Sequence, residues 1–467
     1  MLHIAMPADK VRLVCVQTDR FKTSSLIISA ALPLDENAAA NALMLRLLKR
    51  SCKKYPDFTL FYGKLDELYG ATVSSEISKS GDSQVLSLVV NCLDDRFALD
   101  GESIAEQCAE LSAELIFAPN TKGGSFGADA VATEKRLLTQ LVEEEMNNKG
   151  TYAERRCINH MCSNEPYGRD EYGTVEEIAA VKCADVYAAW KRMLANAVFQ
   201  ITYVGSASPE NIEKIFASRF KKIKREPVET ETIFFKRGGR FCRHEEQFPV
   251  NQGKLIIGLR TGMQSSRDNL FAVMLTNDIL GGSTYSKLFA NVREKMSLAY
   301  YCYSRLIKSK GIVLIESGID TDKERTVSAA IVKQLGELRD GRTDPEVYDA
   351  AKRSLRERLT FSSPASIAGW YAAQINEQDI MTPDEVADGI DAVTHEQVCE
   401  AAKKLSIDTI FMLASDGKET ENETQFQTER TPWSFAACNA FYSAGNSGAC
   451  ACLRNSGGTV NCRNMGQ

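Results

Sequence analysis

Histidine is scarce in this 467-residue chain, and no two of His3, His160, His244 and His395 stand close together. A metal site built on paired imidazoles is therefore not expected. The sequence holds no G-x-x-x-x-G-K-[ST] loop, no G-x-G-x-x-G and no G-x-S-x-G. P-loop, dinucleotide and nucleophile-elbow chemistries are thereby excluded. No apolar run approaches the ~18 residues of a membrane span, and the opening MLHIAMPADK has no cationic start followed by an apolar core. A cytoplasmic protein with no membrane partner is expected. Bases are not in excess either: 62 acids stand against 56 Lys and Arg, for a net charge of -6. A nucleic-acid partner, which would draw on clustered cations, is not expected.

What is present is an ordinary globular composition, 44% hydrophobic and 25% charged, which is enough to build a core and excludes a largely disordered chain. Fourteen cysteines sound like many, but ten are scattered singly and read as reduced core thiols. The other four, Cys438, Cys450, Cys452 and Cys462, crowd a Gly/Asn/Ser-rich end. With no paired C-x-x-C and no histidine there, the stretch 422–467 reads as a disordered tail.

Apolar runs and turn signals predict an ordered series. A strand at 25–32 ends at Pro33, a helix follows at 36–52, and a helix end at 64–69 closes on Gly70. Strands at 71–77 and 84–90 flank a turn at 79–82. Helices follow at 101–116, 128–147 and 153–162. Thr174 with Glu177 forms a capping box, and a helix at 183–193 precedes a strand at 198–204. The glycines between 123 and 127 read as a flexible loop. The order then recurs: 254–259 parallels 25–30, 293–304 parallels 64–74, 311–317 parallels 83–90. Thr382 with Glu385 repeats the capping box, and 409–413 repeats the last strand. This predicts an α+β fold of two homologous domains, 1–220 and 248–421, each a mainly antiparallel sheet packed with helices. The charged stretch 221–247, with Lys221-Lys222-Ile223-Lys224-Arg225 and Lys236-Arg237-Gly238-Gly239-Arg240, reads as a solvated interdomain linker rather than an anion site.

Two segments carry chemistry. Gly281-Gly282-Ser283-Thr284-Tyr285-Ser286-Lys287-Leu288-Phe289 leads into Arg293-Glu294-Lys295-Met296-Ser297-Leu298-Ala299-Tyr300, and Glu165-Pro166-Tyr167-Gly168 precedes Gly173-Thr174. They resemble the insulinase/pitrilysin (inverzincin) peptidase family, whose second domain reads G-G-x-x-x-S-x-L-F…R-E-K-x-x-L-A-Y and whose first carries H-P-Y-G. Here Glu165 stands where the family has histidine. The resemblance implies two domains facing each other across a peptide chamber. It also implies that Arg293 and Tyr300 form the pair that reaches the substrate backbone and the developing oxyanion, as a guanidinium and a phenol can.

Active members carry H-x-x-E-H on the first long helix, two histidines holding zinc and a glutamate acting as base. Counting back from Tyr55-Pro56, those positions fall on Ala42, Leu45 and Arg46, and no histidine occurs between His3 and His160. The third ligand of the family would fall among Glu143, Glu144 and Glu145. No zinc is expected on this chain. The resemblance then implies a non-catalytic subunit like those of bacterial two-subunit processing peptidases: a heterodimer with a zinc-bearing homologue, binding extended peptide and lending Arg293 and Tyr300 in trans. A purely structural or peptide-holding protein without a role in catalysis is the alternative. A third reading, a peptidase with its own metal on Cys157, His160 and Cys162, meets a geometric objection. On a helix those two cysteines diverge by about 140°.

Overall fold

The computed structural model describes residues 1–235 and 241–416. The tail cysteines and the second basic cluster at 236–240 lie outside the described residues. The first half runs β1 (Leu2–Ala8), β2 (Val11–Gln17), β3 (Thr23–Pro33), α1 (Ala38–Leu48), α2 (Phe58–Glu67), β4 (Thr72–Ser80), β5 (Ser83–Leu93) and α3 (Ile104–Phe117). It continues with β6 (Thr121–Lys122), β7 (Ser125–Phe126), α4 (Ala128–Asn147), α5 (Lys149–Met161), α6 (Val175–Ala180), α7 (Cys183–Asn196), β8 (Val198–Gly205) and α8 (Pro209–Phe220). The second half runs β9 (Cys242–Phe248), β10 (Gly253–Arg260), α9 (Leu270–Asn277), β11 (Tyr301–Ile307), β12 (Ile312–Ile319) and α10 (Glu324–Arg339). Then come α11 (Pro345–Glu357), α12 (Pro364–Ala372), α13 (Pro383–Asp391), α14 (His395–Lys404) and β13 (Ser406–Ser415).

Two mixed sheets result, ordered β1-β2-β8-β3-β5-β4 and β11-β12-β10-β13-β9. All pairs are antiparallel except β2 with β8 and β9 with β13. Those two parallel pairs occupy equivalent places, so the duplication extends further towards the N-terminus than the apolar runs suggested. β1 and β2 were not expected; β1 is an edge strand whose Pro7 masks it as a strand, and an edge tolerates proline. β9 removes Cys242–Phe248 from the expected linker, and the glycines at 123–124 form the turn of the β6–β7 hairpin instead of a plain loop. Both capping boxes, Thr174 with Glu177 and Thr382 with Glu385, are formed.

Each central strand is buried on both faces, and its alternating side chains serve different cores. On β3, Leu26, Ile28, Ala30 and Leu32 enter the first-half core, while Ile27 points the other way. That other face is covered by α12, a second-half helix, through Ile367, Ala368 and Tyr371. Reciprocally, Ile256 of β10 and Phe411 of β13 meet α5, a first-half helix, at Ala153, Cys157 and Ile158. A Cβ on Gly258 of β10 would stand 2.7 Å from the sulfur of Met161, so glycine permits this close approach. The exchange is clamped at its rim: Arg12 of β2 donates to the carbonyls of Gln374 and Glu377 just beyond α12, both at 2.8 Å.

A buried ionic seam ties the halves. Lys310 Nζ lies 2.7 Å from Asp82 Oδ1 and 2.9 Å from Glu165 Oε2, and Arg260 bonds Glu165 Oε1 at 2.5 Å and Asp408 at 3.2 Å. The acid that replaces the family's histidine thus joins two second-half cations. The connecting segment is held in this seam, not solvated throughout: Ile233 donates its N–H to Asp82 and accepts from Lys310. The two halves therefore meet directly through exchanged helices and ion pairs. Beside the seam lies a cavity lined mainly by second-half residues, with Glu154 of the first-half helix α5 among them.

Candidate functional site

The helix that would carry zinc ligands is packed as a core helix. Ala42 is fully buried in α1 and Leu45 nearly so. Arg46 turns to α4, where its Nε donates to Glu134 Oε2 at 2.8 Å, and Arg50 Nη1 donates to Oε1 at 2.7 Å. Two guanidiniums thus face one buried carboxylate. These residues do not fit a zinc ion: two positions are apolar and the third is a fixed cation. The acid facing Arg46 is Glu134, not one of Glu143, Glu144 and Glu145; Glu145 pairs instead with Arg155. Glu134 was legible in principle, because it shares the buried stripe of α4 with Val131, Leu138 and Val142.

Cys157, His160 and Cys162 do not form a ligand set. Both thiols are buried, and burial pushes Cys162 up to about 12 and Cys157 higher still. The His160 ring stacks instead on His244 at 3.8 Å. Among the described residues no cluster of three or more His, Cys, Asp or Glu could hold a metal ion.

A cavity of about 570 Å3 lies along β11, lined mostly by second-half residues and by Glu154 of α5. Tyr301 through Leu306 all line it. Successive residues of a strand point to opposite faces, so one cavity reaches all six only by wrapping the strand's edge. β11 is the terminal strand of its sheet, with β12 as its ladder partner. The opposite wall is the Gly281–Thr284 stretch that the sequence singled out. It follows α9 as a π-helical turn over Asp278–Gly282, a geometry frequent at functional sites. A Cβ at Gly281 would lie 2.5 Å from the backbone nitrogen of Ser304, so a larger residue would push this wall away from β11. Behind it, buried Asp278 accepts from Arg358 and Tyr285, both at 2.5 Å.

Charge is distributed unevenly around the strand. On one face, buried Glu316 of β12 accepts from the Tyr303 hydroxyl at 2.6 Å, and Arg305 pairs with Glu154 of α5. Burial and the neighbouring Glu154 carboxylate push Glu316 up to about 7, against the pull of Arg305. On the other face, Leu270, Met274, Leu355, Met381 and Val386 make an apolar wall. Arg293 lines the cavity, its guanidinium 4.6 Å from the centre of the Phe289 ring. Tyr300 does not line it: the residue is half exposed, and its hydroxyl donates to Asp320 Oδ1 at 3.1 Å. The structure thus brings Arg293 to the cavity and turns Tyr300 towards Asp320. Sequence reasoning missed Glu316, Tyr303 and Lys308, because only the β11–β12 pairing and the docking of α12 assemble them.

The peptidase M16 inactive domain matches residues 181–355. A Bacillus subtilis (strain 168) protein named "Probable inactive metalloprotease YmfF" is 28% identical over 403 residues, covering 85% of this chain and 94% of that relative. A conserved protein from Enterococcus faecalis V583 superposes with a TM-score of 0.80 at 25% identity, over 90% of this chain and 100% of that one. A peptidase M16 inactive domain from Pseudomonas fluorescens gives 0.73 at 21% identity, over 90% and 99%, a likeness of fold. Residues 181–355 thus match the peptidase M16 inactive domain, and over most of its length the chain is similar to a relative named as a probable inactive metalloprotease, in keeping with the vacated ligand positions on α1 and the insulinase/pitrilysin resemblance of its motifs.

Proposed function

We propose that this chain is the non-catalytic subunit of a cytoplasmic two-subunit peptidase, pairing with a zinc-bearing homologue and holding extended peptide. The observation that carries the reading is the cavity wrapped around the edge of β11, with Arg293 on its wall. A terminal strand offers main-chain donors and acceptors in a row, and a peptide adds to it as a further strand whose alternate side chains enter flanking pockets. Arg293, 40% exposed, has among the described residues only Glu294, at 3.6 Å, as an ion-pair neighbour, and can reach a partner's reacting carbonyl. Tyr300 is the second donor, released from Asp320 when substrate arrives. The buried thiols, among them Cys15, Cys108 and Cys302, suit a reducing compartment. Among the described residues no helix is long and apolar enough to cross a membrane.

The test mixes the purified chain with a zinc-bearing homologue encoded beside it and follows cleavage of a quenched-fluorescence peptide. Activity is expected from the mixture and not from either chain alone. Arg293→Ala should lower kcat by about 10²-fold, the scale of losing one transition-state donor. Unchanged cleavage with Arg293→Ala would remove the catalytic part of the proposal. The remaining reading, a peptide-holding protein without a role in catalysis, is favoured by one observation, the engagement of Tyr300 by Asp320 outside the cavity.

A further inference from the structure

The charges around the cavity do not cancel locally. Arg305 is matched by Glu154 and Arg358 by Asp278. Glu316 is a weak counter-charge, buried and hydrogen bonded by Tyr303. Lys308, just past the end of β11, has no such match. Its ammonium lies over the Trp370 ring, 5.3 Å from the centroid, and both residues line the cavity. Among the described residues no carboxylate lies within ion-pair distance of it. Glu377, the acid whose charge reaches it, is already bonded by Arg267 and Ser266, each at 2.9 Å. Desolvation on the cavity wall, with Arg267 nearby and against the pull of Glu377, lowers the Lys308 ammonium from its ordinary value, although the side chain stays partly exposed to the cavity. A partly exposed cation without a carboxylate partner on a cavity wall marks where an anionic group of a ligand would be favourable.

We infer that Lys308 is a carboxylate-recognition residue, and that the cavity takes an extended peptide combining apolar side chains with one carboxylate. This rests on the reading of β11 as a peptide-holding edge and adds the substrate class. The peptide strand lies along Tyr301–Ile307, its large apolar side chains packing between Met274 and Met381 on one pleat face. Its acidic group ends against Lys308 over the Trp370 ring. The aromatic face assists by keeping the ammonium in place while the stem is buried. Arg293, near the start of the strand, stays available for the partner's chemistry.

The experiment needs this chain alone. A fluorescein-labelled peptide of alternating Leu and Thr with one Glu is titrated by anisotropy against its Gln counterpart, each as C-terminal acid and as amide. A preference of about tenfold for a carboxylate is expected, and the four peptides show whether a side chain or the chain end supplies it. Lys308→Met, which keeps the stem over Trp370, should abolish the preference and bring the four peptides to one affinity; Lys308→Arg should keep it. A melting curve confirms that each variant is folded. Equal binding of all four peptides would overturn the role of Lys308 while leaving peptide holding intact. Binding of none would overturn both. A preference that survives Lys308→Met would place the recognition elsewhere and also refute the inference.

Discussion

Replacing Lys310 with methionine removes the cation at the centre of the seam between the halves and keeps most of its volume. The Lys310 side chain is wholly buried, Asp82 and Glu165 nearly so, and the ammonium serves both carboxylates. Taking one partner from a buried pair costs about 3–5 kcal/mol, because the remaining charge keeps its desolvation penalty without its counter-ion. Here the lower end applies. Asp82 still accepts the backbone N–H groups of Tyr167 at 3.1 Å and Ile233 at 2.8 Å, and Glu165 still holds Arg260. A loss of about 3 kcal/mol is therefore expected from the urea midpoint, with the slope unchanged. Because the seam joins the two halves, tryptophan fluorescence and far-UV circular dichroism should shift together. Adding Asp82→Asn to the same chain removes one of the stranded charges, so the double variant should recover part of the loss. A change below about 1 kcal/mol, or a double variant that loses the sum of the two singles, would refute the assigned role of the seam.

Two further outcomes follow from the same geometry. Ile367→Ala on α12 should cost about 2–4 kcal/mol, and hydrogen exchange should speed up in β3 of the other half, since that is what Ile367 covers. Exchange changes confined to the second half would contradict the helix exchange. Glu316 gives a pH dependence: its carboxyl is raised from an ordinary 4.5 to about 7, so between those values the folded chain keeps a proton that the unfolded chain has released. Its contribution to stability therefore falls as pH rises through that window and levels off above it. Glu316→Gln should flatten this part of the stability-pH curve, raising stability more at pH 8 than at pH 5. A curve unchanged by the substitution would show that Glu316 does not titrate there.

Local chemistry is what the sequence determined on its own. The absence of histidine from the first long helix, with Ala42, Leu45 and Arg46 in its place, was enough to argue against zinc ligands there, because ligand chemistry is a property of side-chain type. The capping boxes at Thr174 and Thr382 were legible for a similar reason, since cap and partner lie within one turn. The double-sided burial of 25–32 and 254–259 was written in their apolar runs, though not what would cover the second face. Tertiary structure decided that. α5 and α12 trade places between the halves, a choice made by packing between residues more than a hundred positions apart, which periodicity cannot encode. The same holds for Glu134 opposite Arg46, and for Glu165, which looked like a lost histidine and proved to be the anion between Arg260 and Lys310. Charged residues carry little positional signal along a chain. Their meaning comes from the counter-charge that folding brings within about 3 Å.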